Sequence, residues 1–328
     1  MGLKVLMTAK TLAAPGVALL EKAGCSVSFL PRGTDAELAE ALRGTAYDAV
    51  ISRTLALSRD LIEHSPALRV ISRHGVGYNN VDLDSATERG IPVMIANGAN
   101  GQSVAELTVG LALAVARKIS HLDARIRASD WDRSGSGIQL SGRTAGIVAF
   151  GAIGQRVAAM LQAMGMSIVA FDPHIRDRGT HNVTWVDTLG ELLERSDLVS
   201  LHCPLTPETR NMIAAPQLAA MKKGAILINT ARGGLIDEMA LAQSVTAGHL
   251  AGAGLDTFAD EPLSADHPFL SIPTIVMTPH MGGSTDSALD NVAISAAQNV
   301  LDALIDGRVD RRLLVNPAVL ERRTIGAK

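Results

Sequence analysis

The chain has 328 residues, with 30 Lys or Arg against 33 Asp or Glu and a formal net charge of −3 at pH 7. This near-neutral charge excludes the strong excess of basic residues by which a protein binds nucleic acid or an anionic membrane. Hydrophobic residues make up 47% and aromatic residues only 3%, so the core must be aliphatic, and the length predicts about two domains.

The two cysteines, Cys25 and Cys203, belong to no C-x-x-C pair, so the sequence shows neither a disulfide framework nor a thiolate zinc site. Isolated thiols are typical of a reducing compartment, and we expect a cytoplasmic protein without a metal. Residues 1–8 predict a first strand rather than a secretion signal. The longest apolar run, near Val109–Ala116, is far shorter than the roughly 18 residues that a transmembrane helix needs.

Short apolar runs alternate with helical patterns along the chain, which predicts an α/β fold with parallel sheets. The first strands and helices are predicted at Leu3–Met7, Val17–Ala23, Val27–Leu30, Asp35–Leu42, Ala49–Ser52, after Ser58 and at Val70–Ser72. Residues 97–101 are small turn formers and predict a linker. A long helix is predicted after Ser103, because Glu106 follows at the spacing of a capping box. Apolar residues occupy nearly every face of this helix, which predicts that the helix is buried on more than one side.

A second series of strands begins near Thr144. These strands are predicted at Gly146–Phe150, Ile168–Phe171, Leu198–Leu201, Ala225–Asn229, Gly252–Leu255 and Ile275–Met277, and a last long helix near Asp286–Ile305.

The first strand of this second series leads into a glycine turn and a helix. Gly151 and Gly154 suit a turn that brings backbone amides and a helix N-terminus against a pyrophosphate. Ala149 stands where the first glycine of G-x-G-x-x-G belongs, and we expect it to turn with a negative φ. Asp172 follows the next strand, where a carboxylate binds the ribose hydroxyls of NAD and repels the 2′-phosphate of NADP. The pattern therefore predicts NAD as the cofactor.

Three further polar segments follow strands in the second half, and they contain Arg232, Glu261 and His280. Such positions matter because α/β sheets bind ligands at the carboxyl ends of their strands. An arginine can hold a carboxylate and polarise a carbonyl, a histidine can exchange the hydroxyl proton, and a carboxylate can orient the imidazole. Together these groups are what the interconversion of a 2-hydroxy acid and a 2-keto acid requires.

With these motifs the chain resembles the D-isomer-specific 2-hydroxyacid dehydrogenase family over nearly its whole length. The segments that carry the resemblance are His74–Asp82, Asn100–Glu106, the glycine turn with Asp172, His202–Thr209, Asn229–Gly233, Asp256–Pro262 and Pro279–Ser284. The resemblance implies a flavodoxin-like substrate domain at residues 1–98 and 288–328, with a Rossmann NAD-binding domain inserted at 99–287. It also implies a homodimer built on the nucleotide domain.

The resemblance further assigns roles to individual residues. Arg232, Glu261 and His280 are implied to be catalytic. The amides of Val76 and Gly77 are implied to bind the substrate carboxylate, with Asn100 and Arg232 beside it. Asp256 is implied to hold the nicotinamide carboxamide, and Cys203–Pro204 to border the adenine. The implied cofactor-binding residues are Gly151, Ala152, Ile153, Gly154, Asp172, Cys203, Pro204, Thr209, Thr230, Ala231, Asp256, His280 and Gly282.

The substrate stays open between a phosphoglycerate dehydrogenase-like and a hydroxypyruvate or glyoxylate reductase-like specificity. Ile51 stands where similar phosphoglycerate enzymes carry an arginine, and Arg53, two positions on, is either its substitute or a surface residue. Arg73 and His74 are expected to add positive charge nearby. Formate is disfavoured, because formate dehydrogenases of this fold carry Gln in place of Glu261. A NAD-sensing corepressor of the same fold is the alternative from another class.

We expect the two-domain form of these enzymes, because the sequence ends at Lys328 without a regulatory module.

Overall fold

The computed structural model describes residues 2–175, 179 and 182–321. It divides into two compact units: unit 1 holds the described residues of Met1–Asn100 and Ser284–Lys328, and unit 2 is Gly101–Gly283. The predicted boundaries lie at 98/99 and 287/288, and residues 322–328 of the predicted substrate domain lie outside the described part. No helix among the described residues is long and apolar enough to span a bilayer.

Twelve strands and eleven α-helices alternate along the described chain. The strands are β1 (Lys4–Met7), β2 (Ser26–Phe29), β3 (Ala49–Ser52), β4 (Val70–Arg73), β5 (Val93–Met94), β6 (Thr144–Val148), β7 (Ser167–Phe171), β8 (Thr184–Trp185), β9 (Leu198–Leu201), β10 (Ile226–Asn229), β11 (Gly252–Leu255) and β12 (Ile275–Met277). The helices are α1 (Ala14–Lys22), α2 (Asp35–Gly44), α3 (Arg59–Glu63), α4 (Leu83–Glu88), α5 (Gly101–Ala116), α6 (Ile119–Arg127), α7 (Ala152–Ala163), α8 (Leu189–Arg195), α9 (Ala215–Ala220), α10 (Glu238–Thr246) and α11 (Asp286–Leu304). Short 3-10 helices occupy Gly233–Leu235 and Pro268–Ser271.

Unit 1 is built on a parallel sheet in the order β2-β1-β3-β4-β5, the flavodoxin-like order. Alternate strand residues point to opposite faces, so Val5 and Met7 pack in the layer of α1 and α11, and Leu6 packs in the layer of α2. Gly16 lets α1 approach α11, because a Cβ there would lie 2.7 Å from the carbonyl oxygen of Ala293. The sheet is therefore buried on both faces.

Unit 2 is built on a parallel sheet in the order β12-β11-β10-β9-β6-β7-β8. Its chain reverses direction across the sheet between β6 and β9, the switch point at which Rossmann folds bind dinucleotides. The predicted fold class, α/β with two parallel sheets, is thus confirmed.

One local expectation is wrong, and several short elements carry no prediction. Helix α5 begins at Gly101, and Ser103 lies within its first turn, where its hydroxyl donates to the carbonyl oxygen of Gly282 at 2.6 Å instead of capping the helix. Helices α4 and α6 and the two-residue strands β5 and β8 were not predicted, because segments this short or this exposed have little hydrophobic periodicity. The predicted burial of α5 is confirmed, because the helix packs against α7, β10 and β11 within unit 2.

Candidate active site

The glycine turn joins β6 to α7, and its backbone differs from the expectation in one respect. Ala149 has a φ of 68°, so it adopts the left-handed conformation that costs an L-residue about 1–2 kcal/mol. The turn is held by the next residue, since the amide of Phe150 donates to the carboxylate of Asp172 at 2.9 Å. Gly154 is required for packing, because a Cβ there would lie 2.4 Å from the carbonyl oxygen of Ala149.

The same turn fits the pyrophosphate of a dinucleotide. Gly151 is the N-cap of α7 and has no side chain to accept from the first-turn amides, and a Cβ built on it meets no atom within 4 Å. The amides and the positive end of the helix dipole are therefore available to an anion. Asp172 also fits a ribose, because within the described residues its two oxygens accept only from the amides of Phe150 and His174 and retain lone pairs for hydroxyls.

The segment after β9 forms a closed loop at the same edge of the sheet. The Thr209 hydroxyl donates to the carbonyl oxygen of Pro204 and accepts from the amide of Thr206, both at 2.7 Å. Cys203 is buried and donates to the sulfur of Met212 at 3.5 Å. Burial raises the pKa of the Cys203 thiol to about 11, so it stays protonated and unreactive at neutral pH.

Arg232 follows β10 and is positioned by Asn229, a residue that the sequence reasoning did not assign. The buried Asn229 side chain accepts from the amide of Ala231 at 3.0 Å and donates to the carbonyl oxygen of Arg232 at 2.7 Å. The Arg232 guanidinium donates to the carbonyl oxygen of Ala231 at 2.6 Å. Burial lowers the pKa of Arg232, and the nearby Glu261 carboxylate opposes this shift. Thr230 is buried against α5, with its hydroxyl 2.8 Å from that of Thr108.

Glu261 and His280 come from the segments after β11 and β12 and meet directly. The Nδ1 atom of His280 lies 2.8 Å from Oε2 of Glu261. The other carboxylate oxygen, Oε1, accepts from the amide of Phe258 at 3.0 Å, so the carboxylate is held at both ends. The side chains of His280 and Glu261 are 50% and 37% exposed, which leaves the imidazole open to a ligand. Within the described residues, Nε2 of His280 has no protein partner.

Asp256 organises the turn at residues 278–282, here called the His280 turn. Its buried carboxylate accepts from the Thr278 hydroxyl at 2.5 Å and from the amides of Met281 and Gly282, both at 2.8 Å. His280 has a φ of 54°, a left-handed conformation that persists only where neighbouring contacts impose it. The three hydrogen bonds of Asp256 supply those contacts. The sequence held no signal for this, because the donors lie more than twenty positions away along the chain.

The segments of Arg232 and Glu261 are also in contact. A Cβ on Gly233 would lie 1.8 Å from the carbonyl carbon of Phe258, so only glycine allows this approach. Because β10, β11 and β12 are neighbours in one parallel sheet, Arg232, Glu261 and His280 emerge at the same edge. Together they form a site with an arginine, an oriented imidazole and a carboxylate.

Unit 1 carries the remaining predicted residues on its loops. The amides of Val76 and Gly77 donate to no protein acceptor within the described residues. Arg73 is buried and donates to the carbonyl oxygens of Gly77 and Arg53, both at 2.6 Å. Burial lowers the pKa of His74 to about 4, and the positive charges of Arg53 and Arg73 add to this shift. The expectation that His74 adds positive charge is therefore wrong, because its imidazole is neutral at pH 7.

Two of the predicted unit 1 residues, Arg53 and Asn100, have no side-chain hydrogen-bond partner within the described residues. The Arg53 backbone is fixed by a bond from its amide to the Thr8 hydroxyl at 2.9 Å, while its guanidinium donates to no acceptor within the described residues. Asn100, the last residue of the first segment of unit 1, likewise has no side-chain hydrogen bond to the described residues. Both side chains are therefore available to a ligand.

Comparison with known proteins decides the family. Residues 109–282 match the NAD binding domain of the D-isomer specific 2-hydroxyacid dehydrogenases. The chain belongs to this family. Among its relatives, D-3-phosphoglycerate dehydrogenase of Methanocaldococcus jannaschii is 41% identical over 304 residues, which are 92% of this chain and 57% of the relative. Hydroxypyruvate reductase of Thermotoga maritima is 40% identical over 258 residues, or 78% of this chain and 84% of the relative.

A comparison with solved structures supports the same fold. The TT0316 protein from Thermus thermophilus superposes with a TM-score of 0.84 and 37% identity, and the match covers 95% of this chain and all of the other. The chain spans about half the length of the D-3-phosphoglycerate dehydrogenases that it matches. Family membership and the NAD-binding domain in unit 2 are thus shown.

Proposed function

We propose that the chain is a NAD-dependent oxidoreductase that interconverts a D-2-hydroxy acid and its 2-keto acid. The observation that carries this proposal is the 2.8 Å contact between Glu261 and Nδ1 of His280, which leaves Nε2 to exchange a proton with a substrate oxygen. Arg232, on the adjoining segment, offers paired donors for a carboxylate and a carbonyl. When bound, the nicotinamide supplies or accepts the hydride at the carbon that bears this oxygen.

In the reductive direction the chain's residues act on the two oxygen-bearing groups of the keto acid. Arg232 binds the carboxylate and polarises the carbonyl, so that negative charge developing on the carbonyl oxygen is stabilised. His280 donates its Nε2 proton to this oxygen as the hydroxyl forms. Glu261 accepts from Nδ1 and so holds the imidazole in the orientation in which Nε2 faces this oxygen. Oxidation runs through the same groups in reverse.

We assign substrate binding also to unit 1 and cofactor binding to unit 2. The unpaired amides of Val76 and Gly77 suit a carboxylate, with Asn100 as a further ligand. In unit 2 the glycine turn and Asp172 suit the pyrophosphate and the adenosine ribose. The loop at Cys203–Thr209 would border the adenine, while Thr230, Ala231, Asp256 and Gly282 would line the nicotinamide end.

We expect NADH to be preferred over NADPH by at least about tenfold in kcat/KM, because a 2′-phosphate would meet the carboxylate of Asp172. Steady-state rates with the two cofactors and one keto acid test this. A higher kcat/KM for NADPH would show that Asp172 does not select the cofactor.

A second anionic group on the substrate is proposed to bind Arg53. Its guanidinium is free of protein acceptors within the described residues and lies close enough to His74 to lower the pKa of that imidazole. Arg53→Ala is therefore expected to raise KM for phosphohydroxypyruvate by roughly 10- to 100-fold, the loss of one charged hydrogen bond. KM for hydroxypyruvate should change little. Arg69→Ala, at an exposed arginine of the same unit, is the control; equal effects on both keto acids would remove Arg53 from phosphate binding.

A homodimer is proposed through an apolar surface of unit 2, formed by Ile119, Leu122, Ile126 and Trp131. These side chains are 41–77% exposed, and the first three lie on one face of α6, a helix with no buried residue. Sedimentation velocity should give twice the 34.3 kDa chain mass. Leu122→Glu should give monomers, whereas the same change at Leu270, exposed elsewhere on unit 2, should not. A dimeric Leu122→Glu variant would place the interface elsewhere.

We also propose a cytoplasmic location. Both cysteines are free thiols, Cys25 and Cys203 are buried, and burial raises the pKa of each. Recovery of the protein in the cytoplasmic fraction of its cell would support this, and recovery outside it would not.

A further inference from the structure

We infer that Glu238 is a positioning residue for the candidate active site: it holds the segment that carries Glu261 and thereby sets the contact between Glu261 and His280. This inference rests on the proposed function and adds a residue outside the arginine, glutamate and histidine of the site.

Glu238 lies at the start of α10 and contacts the neighbouring segment with both carboxylate oxygens. Oε1 accepts from the amide of Ala259 at 2.8 Å. Oε2 lies 3.3 Å from Nε2 of His267, the last residue of the Glu261 segment (residues 257–267). The side chains of Glu238 and His267 are each only 14% exposed. A carboxylate this enclosed, with both oxygens occupied, is a fixed contact rather than a solvated surface charge.

The imidazole ring of His267 is held in one orientation by its contacts with Phe269. Its Nδ1 accepts from the amide of Phe269 at 3.4 Å, and its ring packs edge-on against the buried Phe269 ring, with centroids 4.5 Å apart. Because Nδ1 accepts, the proton of the neutral ring lies on Nε2, the nitrogen that is 3.3 Å from Glu238. Glu238 therefore clamps the Glu261 segment near its beginning, at Ala259, and at its end, at His267.

The Glu261 segment has few other anchors. Within the described residues, two hydrogen bonds tie residues 258–266 to parts of unit 2 outside this segment: the one from Ala259 to Glu238 and the one between Glu261 and His280. The adjacent amide, that of Phe258, donates to Oε1 of Glu261 and so orients its carboxylate towards His280. A shift of the peptide at 258–259 would therefore move the Glu261 carboxylate directly. Residues 259–262 are exposed, so packing does little to replace the lost bond.

Three variants separate positioning from a general loss of stability. Glu238→Ala removes both contacts, whereas Glu238→Gln keeps an amide oxygen that can accept from Ala259. Glu191→Ala is the matched control, because Glu191 also lies in the first turn of a unit 2 helix, but within the described residues its carboxylate pairs only with the exposed Arg195. Two quantities are measured for each: steady-state kinetics with NADH and a keto acid, and amide hydrogen exchange of residues 257–267 in the protein without cofactor.

We expect Glu238→Ala to lower kcat by about 10- to 100-fold, as displacement of a catalytic group does, and to leave KM for NADH within about twofold. The glycine turn and Asp172 lie on other segments of unit 2, after β6 and β7, which is why NADH binding should persist. Amide exchange in residues 257–267 should accelerate. Glu238→Gln should recover most of the lost kcat, and Glu191→Ala should behave as the wild type in both measurements.

Other outcomes overturn the inference. Unchanged exchange in residues 257–267 of Glu238→Ala would show that Glu238 does not hold the segment. Faster exchange with an unchanged kcat would show that holding the segment does not matter to the reaction. If the wild type itself turns over no keto acid, the proposed function fails, and with it the catalytic role of Glu238; the exchange data would then still report separately whether the anchor exists.

Discussion

Replacement of His280 by alanine should lower kcat for keto-acid reduction by roughly 100- to 10,000-fold, the usual contribution of a general acid or base. The imidazole is the group placed to deliver the proton, because Glu261 engages Nδ1 at 2.8 Å and leaves Nε2 free of protein partners among the described residues. Without it the proton must come from water. KM for NADH should change little, since the glycine turn lies on a different segment of unit 2.

His64→Ala is a suitable control, because His64 is an exposed histidine of unit 1 that pairs with Asp60. The comparison must include an unfolding measurement, because His280 adopts a left-handed backbone that alanine does not favour. A folded His280→Ala protein with a near-normal kcat would remove His280 from the mechanism.

Replacement of Arg232 by alanine should lower kcat/KM for the keto acid by roughly 100- to 10,000-fold. The estimate is the loss of two charge-assisted hydrogen bonds of about 1.5–3 kcal/mol each, one to the substrate carboxylate and one to its carbonyl. Part of the loss should fall on kcat, because the carbonyl contact strengthens as charge develops. Arg232 is half-buried, and this burial lowers its pKa. Hydrogen bonds made by a partly desolvated guanidinium are stronger than those made in water.

Arg232→Lys refines this test, because lysine keeps the charge but loses the planar pair of donors. It should recover only a small part of the activity. Arg195→Ala, which removes an exposed ion pair with Glu191 on α8, is the control and should retain full activity. Equal activity of Arg232→Lys and the wild type would mean that Arg232 acts as a charge alone. A fully active Arg232→Ala would exclude it from substrate binding.

Much of the architecture follows from the sequence because parallel strands buried on both faces are short apolar runs. Strands β3, β9, β11 and β12 are predicted to the residue, since each run is bounded by turn formers or polar residues. The polar residues that follow β10, β11 and β12 then had to meet at one edge of one sheet. That reasoning predicts the neighbourhood of Arg232, Glu261 and His280 without any knowledge of side-chain contacts.

The remaining features depend on contacts between distant parts of the chain. The left-handed φ of Ala149 is imposed by the turn, and alanine gives no signal for it. Ser103 has the spacing of a helix cap, but the carbonyl of Gly282 takes its hydroxyl. The sequence predicts that His74 adds positive charge, but its imidazole is neutral because the fold buries it beside two arginines. Each of these is set by tertiary packing, which local patterns do not encode.

NADH consumption by the purified wild-type chain, followed with a panel of 2-keto acids, tests the proposed chemistry most directly. The panel should contain glyoxylate, hydroxypyruvate, phosphohydroxypyruvate and an aromatic keto acid. We predict turnover with at least one of them, with formation of the D-hydroxy acid and loss of that turnover in His280→Ala. NADH binding without consumption on any member would contradict the proposed enzyme and favour a NAD-sensing binding protein of the same fold.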